Sequence, residues 1–192
     1  MDDEKLIALS REGDLDAFNQ LVERYQSRVY RLAYRMVGPA SADDASQDAF
    51  ISAFKSIRSF RGGNFRSWML RITANVCRDQ LRSAKRKGGA SLESMLEAGA
   101  WEPASPGRSP EEAASDAELN AAIMTAVAAL PPDQRAVLAL IDIEGYSYEE
   151  TAETVGASLG TVKSRLSRAR EKVRDAFRAS PELLPVQYRL KE

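Results

Sequence analysis

Residues 146–173 read YSYEETAETVGASLGTVKSRLSRAREKV, and the stretch carries its own punctuation. Ser147 and Glu150 have the S-x-x-E spacing of a capping box, in which hydroxyl and carboxylate each satisfy an orphan backbone N–H at a helix start. Gly156 supplies the tight turn that ends this short helix, because glycine takes positive φ without steric cost. Ser158 then caps a second helix, expected from Leu159 through Phe177. Along that helix Val162, Leu166, Ala169, Val173 and Phe177 recur on one apolar face. The opposite face presents Ser164, Ser167 and Arg168, with Lys163 and Arg170 on its flank and Ser158 and Thr161 at its leading end. This is the construction of a helix-turn-helix. The apolar stripe fixes the second helix, its N-terminal half offers hydroxyls and cations to base edges, and its outer arginines meet phosphate. A solvated basic helix in a bundle would account for the charge run. It would not account for two caps, a turn glycine and two separated faces together.

The same punctuation extends upstream. Leu119, Ile123, Ala126, Val127 and Leu130 form one helical stripe, stopped by Pro131-Pro132. Asp133 is expected to cap the next helix, which runs to about Ile143 and ends at Gly145. Residues 117–179 thus read as a four-helix domain. Before them, residues 88–116 hold scattered glycines and prolines and an acidic excess, the composition of a flexible linker.

Residues 1–87 read as a first helical domain. Asp2 or Asp3 caps a short helix through Arg11, ended by Gly13, and Asp14 starts a longer one. Phe18, Leu21, Val22, Tyr25, Val29, Leu32 and Met36 keep the helical period there until Gly38-Pro39. Ser41 is expected to cap a third helix running to about Phe60, and a Gly-Gly turn precedes a fourth from about Phe65 to Lys87. No run alternates long enough for a sheet. The expected fold is all-α: two small helical domains joined by a flexible acidic linker, the second a helix-turn-helix four-helix domain, with an unassigned tail over 180–192.

Composition bounds the chemistry. The chain has no histidine and one cysteine, Cys77, which removes histidine acid–base catalysis, the usual nucleophile pairs and mixed zinc sites. No phosphate-cradling glycine loop is present. No catalytic residue, metal site or cofactor is expected, and Cys77 falls on an apolar strip as a small core residue. The acidic N-terminus has no apolar core of a signal peptide, and the nearly apolar stretch 121–130 is too short to span a bilayer, so a cytoplasmic protein without membrane insertion is expected. The formal net charge of −1 hides segregation: +5 over 1–87, −5 over 88–116, −6 over 117–160 and +5 over 161–178. Two basic blocks separated by acidic ones suggest two surfaces for phosphate.

Two faces of the first domain stand out. The fourth helix is apolar on two sides, with Phe65, Trp68, Met69, Ile72 and Val76 on one and Leu70, Ala74, Cys77 and Leu81 on the other. Between them Ser67, Arg71, Asn75, Arg78 and Arg82 form a narrow polar ridge suited to track a phosphate backbone, although plain solubilisation would use the same arginines. Asn75 carries both donor and acceptor for a base edge. Phe60 and Phe65 flank the Gly-Gly turn as base-stacking candidates, whereas Trp68 reads as core in preference to the alternative of base stacking. On the third helix, Ala45, Ala49, Phe50, Ala53, Phe54 and Ile57 cover the buried arc, and Asp44, Gln47, Asp48 and Ile51 share the outer face. An isoleucine ringed by acids reads as a docking patch for a basic partner, against the alternative of a stray surface residue.

The chain resembles the extracytoplasmic-function (group IV) sigma factors of the sigma-70 family over nearly its full length. The resemblance is carried by GDLDAFNQLVERYQSRVYRLAYRMVG, DDASQDAFISAFKSIRSF and FRSWMLRITANVCRDQLR, in that order, and by LPPDQRAVLALIDIEGYSYEETAETVGASLGTVKSRLSRAREKV. It implies a promoter-directing RNA polymerase subunit responsive to stress or envelope signals. Its partners would be core polymerase (the β′ clamp helices and the β subunit), promoter DNA and an anti-sigma factor. It implies that Asp44, Gln47, Asp48 and Ile51 dock on the β′ coiled coil. Phe60, Phe65, Ser67, Arg71, Asn75, Arg78 and Arg82 would bind and melt the minus-ten element, and Ser158, Thr161, Lys163, Ser164, Ser167, Arg168 and Arg170 would bind the minus-thirty-five element. Ser167 stands where many relatives carry a bulkier side chain. A helix-turn-helix alone would equally suit a stand-alone, LuxR-like regulator. A sensor domain, however, has no use for an arginine ridge or an acidic docking face. A carboxylate enzyme with a DNA-binding tail has no positive support.

Overall fold

The computed structural model describes residues 1–86, 119 and 121–179. The expected linker 88–116 and tail 180–192 lie outside the described residues, as does the side chain of Lys85. The described elements are α1 (Asp3–Glu12), α2 (Leu15–Val37), α3 (Pro39–Ser56), a 3₁₀ turn (Ile57–Ser59), α4 (Phe65–Arg86), α5 (121–128), α6 (Pro132–Leu138), α7 (Tyr148–Val155) and α8 (Leu159–Ala179). All are helical; no strand occurs among the described residues.

The helix starts are local chemistry. The Asp2 carboxylate accepts from Lys5 N–H at 2.9 Å and the Asp14 carboxylate from Ala17 N–H at 3.0 Å, while Gly13 ends α1 at φ 102°. Two expected caps are corrected. Gly38, at φ 79°, bends the chain directly from α2 into α3, so Pro39 rather than a residue after Ser41 is the first helical residue. Pro at that position loses nothing, since its missing N–H would have been an orphan, and its φ is already helical. In the same way Pro132 opens α6 and Asp133 lies inside the first turn, where its charge meets the positive helix end without capping it. The third helix also ends earlier than expected, at Ser56.

α1–α4 enclose one core. Leu6, Leu21, Leu32, Met36, Met69 and Leu70 are fully buried, each worth about 1.5–3 kcal/mol on burial. Phe60, Phe65 and Trp68 form a ring cluster with centroids 5.2–5.5 Å apart, and Tyr25 meets Phe65 edge-on at 5.3 Å. Tyr25 and Arg24 both donate to the Asp3 carboxylate, which pins α1 to α2. α5–α8 form a second group, with Val127, Val137, Leu140, Val162 and Leu166 in its interior. Below Leu138 the backbone takes a π turn over Ala139–Ile143, where Glu144 N–H reaches back five residues to Ala139 O at 3.0 Å.

The two groups pack on one another, α4 against α7 and α2 against α6. No local sequence pattern marks this contact, because its residues come from distant parts of the chain.

Burial sets an alkaline limit on stability. Desolvation pushes Tyr25 and Tyr146 up to about 12 from 10.0, and the Cys77 thiol up to about 12 from 9.0. A raised folded pKa means stability that is complete below the unfolded value and lost as pH rises through the folded one. The melting temperature is therefore expected to fall steadily from about pH 9 to pH 12, with Cys77→Ala flattening the first part of the decline. A melting temperature constant across that window would show that these groups are not buried as described.

Candidate nucleic-acid interface

The helix-turn-helix forms as its sequence dictates. Ser147 Oγ accepts from Glu150 N–H at 3.1 Å and the Glu150 carboxylate accepts from Ser147 N–H at 2.9 Å, which completes the capping box. That backbone hydrogen bond, with Arg66 nearby, holds the Glu150 carboxyl below its usual range. Gly156 turns the chain at φ 65°. Ser158 Oγ accepts from Thr161 N–H at 3.2 Å and lies 2.9 Å from Thr161 Oγ1, so both hydroxyls are committed to the cap of α8. Val162, Leu166 and Ala169 are buried, Val173 and Phe177 half-buried, as the apolar face requires.

On the outer face Lys163, Ser164, Ser167, Arg168 and Arg170 are exposed. Arg168 projects without competition from any described ion pair, whereas Arg170 forks onto Asp142 at 2.5 and 2.9 Å. This hydrogen bond raises the Arg170 pKa. Arg170 must leave Asp142 before it can meet phosphate. Lys163 lies 5.9 Å from the Tyr148 ring centroid.

In the first group the ridge on α4 is only partly as expected. Arg71, Asn75 and Arg82 are exposed and Arg78 is half-buried, but Ser67 is 1% exposed, with its hydroxyl bonded to no described group. Ser67 shares the helical period of the ridge but is buried, so it is not part of the exposed polar line. Arg66 and Arg71 on either side of it both reach across to α7, so the second group covers this end of α4. Phe60 and Phe65 are 6% and 5% exposed and packed on Trp68, which leaves no open ring face for a base in this conformation. Trp68 is the half-buried member of that cluster.

The outer face of α3 is as expected. Asp44, Gln47 and Asp48 are exposed and Ile51 is 44% exposed. Gln80 donates to the Asp48 carboxylate at 3.3 Å. Ile51 also forms one lip of an open, largely apolar groove of about 690 Å³ between α2 and α3, walled by Phe18, Val22, Phe50 and Phe54 with Leu15 on the far lip. The groove was missed because its two walls come from different helices. No cluster of three metal-binding side chains occurs among the described residues, and no helix there is long and apolar enough to cross a membrane.

Between the groups lies a seam rich in arginine. Arg31 forks onto Glu144 at 2.8 and 2.9 Å, and the Glu144 side chain is only 7% exposed. That hydrogen bond raises the Arg31 pKa. Arg66 meets Glu150 at 2.6 Å and stacks over Tyr146 at 4.2 Å. Arg71 donates to the Glu153 carbonyl. Asp133 is shared by Arg78 at 3.7 Å and Arg165 at 2.8 Å. Arg135, 4% exposed, sends its guanidinium to the carbonyls of Met36, Ala128 and Leu130. Burial pulls its pKa down to about 10, so it is charged at neutral pH.

Comparison with known proteins fits this arrangement. Residues 21–87 match the family model for sigma-70 region 2, and residues 120–173 match that for sigma-70 region 4. The chain is 35% identical to the ECF RNA polymerase sigma-E factor of Escherichia coli over 175 residues, covering 89% of this chain and 92% of that one. It belongs to the ECF sigma factors of the sigma-70 family. The ECF sigma factor SigM of Mycobacterium tuberculosis is 37% identical, with 89% and 82% covered. SigE of Mycolicibacterium smegmatis is 39% identical over 88% of this chain, which spans only 64% of that longer relative. Among solved structures, CnrH in complex with the cytosolic domain of CnrY superposes with a TM-score of 0.65 at 27% identity, over 93% of this chain and 98% of that one. The sigma factor RpoE bound to the anti-sigma factor NepR, from Bartonella quintana, gives 0.64 at 28% identity, over 85% and 98%.

Proposed function

We propose that this ECF sigma factor is a non-catalytic subunit that joins core RNA polymerase in the cytoplasm and directs it to a promoter. Residues 1–87 would act as the polymerase-docking and minus-ten domain, 88–116 as the acidic connection and 117–179 as the minus-thirty-five domain. The observation that carries the reading is one chain bearing both a completed helix-turn-helix and, on α4, an exposed polar line of Arg71, Asn75 and Arg82. A stand-alone regulator needs only the first. Lys163, Ser164, Ser167 and Arg168 would meet the upstream element, and Arg170 would follow once released from Asp142. Arg71, Asn75, Arg78 and Arg82 would track the downstream strand. Phe60 and Phe65 would serve by shaping the loop before α4 rather than by stacking. Asp44, Gln47, Asp48 and Ile51, with the groove beside them, would form the docking face. Since RpoE was solved with an anti-sigma factor, a partner of that class is proposed here too.

The test is run-off transcription from a promoter library with core polymerase, with and without the chain. Promoter-specific transcripts that depend on the chain are expected. A chain that binds duplex tightly by itself and adds nothing to core polymerase would be a stand-alone regulator.

A further inference from the structure

Leu159 opens α8 with 41% of its surface exposed, and it belongs neither to the buried core nor to the side chains packed around it. The other large apolar residues of this helix turn inward: Val162 and Leu166 are buried, Val173 and Phe177 half-buried. Leu159 stands one turn ahead of Lys163, so it shares a flank of the DNA-reading face. The hydroxyls of the same turn are already occupied. Ser158 and Thr161 bond to each other, and Ser164 donates to the Thr161 carbonyl at 3.0 Å. The next residue, Gly160, is exposed within the helix, where glycine is less favourable than alanine. A Cβ there would meet only Ser158 Oγ, at 4.0 Å. Nothing inside the protein uses the space that Gly160 leaves.

We propose that Leu159 is a base-reading residue: its side chain packs on the C5 methyl of a thymine in the upstream element, and Gly160 clears the approach. The inference rests on the reading of α8 as the minus-thirty-five helix and adds a specificity determinant to it. The leading residues of a recognition helix are those that reach base edges. In the major groove those edges are hydrogen-bond donors and acceptors with one apolar exception, the thymine methyl. A side chain without a hydrogen-bonding group, delivered to that groove, has the methyl as its complementary partner.

A protein partner fits these surroundings less well. Such partners are marked by a contiguous apolar patch, and the exposed neighbours of Leu159 along the helix are Ser158, Gly160 and Lys163. A cation beside the leucine suits a groove edged by phosphate. The size of the effect follows from the area involved. Withdrawing one methyl group from water changes affinity by about three- to fivefold. That is enough to rank promoters that differ at a single base pair.

The experiment uses holoenzyme assembled from core polymerase and the full chain, on a promoter fragment taken from the run-off library. Each thymine of the upstream element, on either strand, is replaced in turn by deoxyuridine, which pairs identically and lacks the methyl. Affinity is read by competition. With the unaltered chain, one position is expected to lose about three- to fivefold. Leu159→Ala and Leu159→Gln should lose as much on the thymine fragment and nothing further with deoxyuridine at that position, the non-additivity of a direct contact. Gly160→Ala should melt no lower than the unaltered chain yet bind every fragment more weakly, because its new methyl fills the approach. The proposal is overturned if no upstream thymine responds to losing its methyl, or if the response survives intact in Leu159→Ala. Undiminished binding by Gly160→Ala would overturn it too, as would unfolding of Leu159→Ala several degrees early. Weaker binding of Leu159→Ala to core polymerase without DNA would make the residue a protein contact instead. Chain-dependent transcripts with every deoxyuridine fragment bound normally would refute this inference and leave the proposed function standing. No chain-dependent transcripts at all would remove both.

Discussion

Replacing Ile51 by alanine is expected to weaken binding to core RNA polymerase by more than about tenfold while barely moving the melting temperature. Ile51 is 44% exposed on α3 and joins no core; it forms a lip of the groove between α2 and α3. Truncating a surface apolar residue usually changes stability by less than about 0.5 kcal/mol. The same residue as a central anchor, ringed by Asp44, Gln47 and Asp48, can cost about 2 kcal/mol or more at an interface. Asp48→Lys should weaken docking as well, more at low salt, by opposing a basic partner with like charge. Affinity for core polymerase is measured beside thermal unfolding of the same preparations. Normal docking by Ile51→Ala, or unfolding many degrees early, would remove the docking face from the proposal.

The largest stability effect is expected at Arg135. Its guanidinium holds carbonyls from both helical groups: Met36 at the end of α2, and Ala128 and Leu130 at the end of α5. Arg135→Met keeps much of the volume and removes every donor. It leaves buried acceptors unmet at about 1–3 kcal/mol each, so a loss of about 3 kcal/mol or more is expected in denaturant unfolding. Arg135→Lys should recover only part, because one ammonium on a flexible stem cannot span acceptors set for a planar fork. A loss under about 1 kcal/mol for Arg135→Met would mean the guanidinium is dispensable there.

What was legible in the sequence was what short-range chemistry decides. The capping box at Ser147, the turn at Gly156 and the Ser158 cap each need only residues within four positions, and each is present as read. The exposure of Ile51 followed from helical period alone. The misreadings fall where distant chain decides. Ser67 has the period of the ridge, yet it is buried. Phe60 and Phe65 flank a turn and look available, but rings from α2 and α4 close over them. The Gly38-Pro39 pair was read as a gap, and it is a corner, because proline supplies a helical φ as soon as Gly38 has made the turn. Arg135 gave a faint signal as the single basic residue of 117–160. A lone cation in an acidic segment that is not at the surface must find oxygen elsewhere.

The π turn at Ala139–Ile143 has a consequence for how this protein can change. One extra residue in a helix rotates everything downstream by about 100° relative to what precedes it. Here that added phase brings Glu144 round to Arg31 just before the chain enters the helix-turn-helix. Losing or gaining one residue in this turn would swing Glu144 away from Arg31 and shift the phase of the helix-turn-helix that follows, so the tie between the two helical groups and the aim of the recognition helix depend on the same five residues.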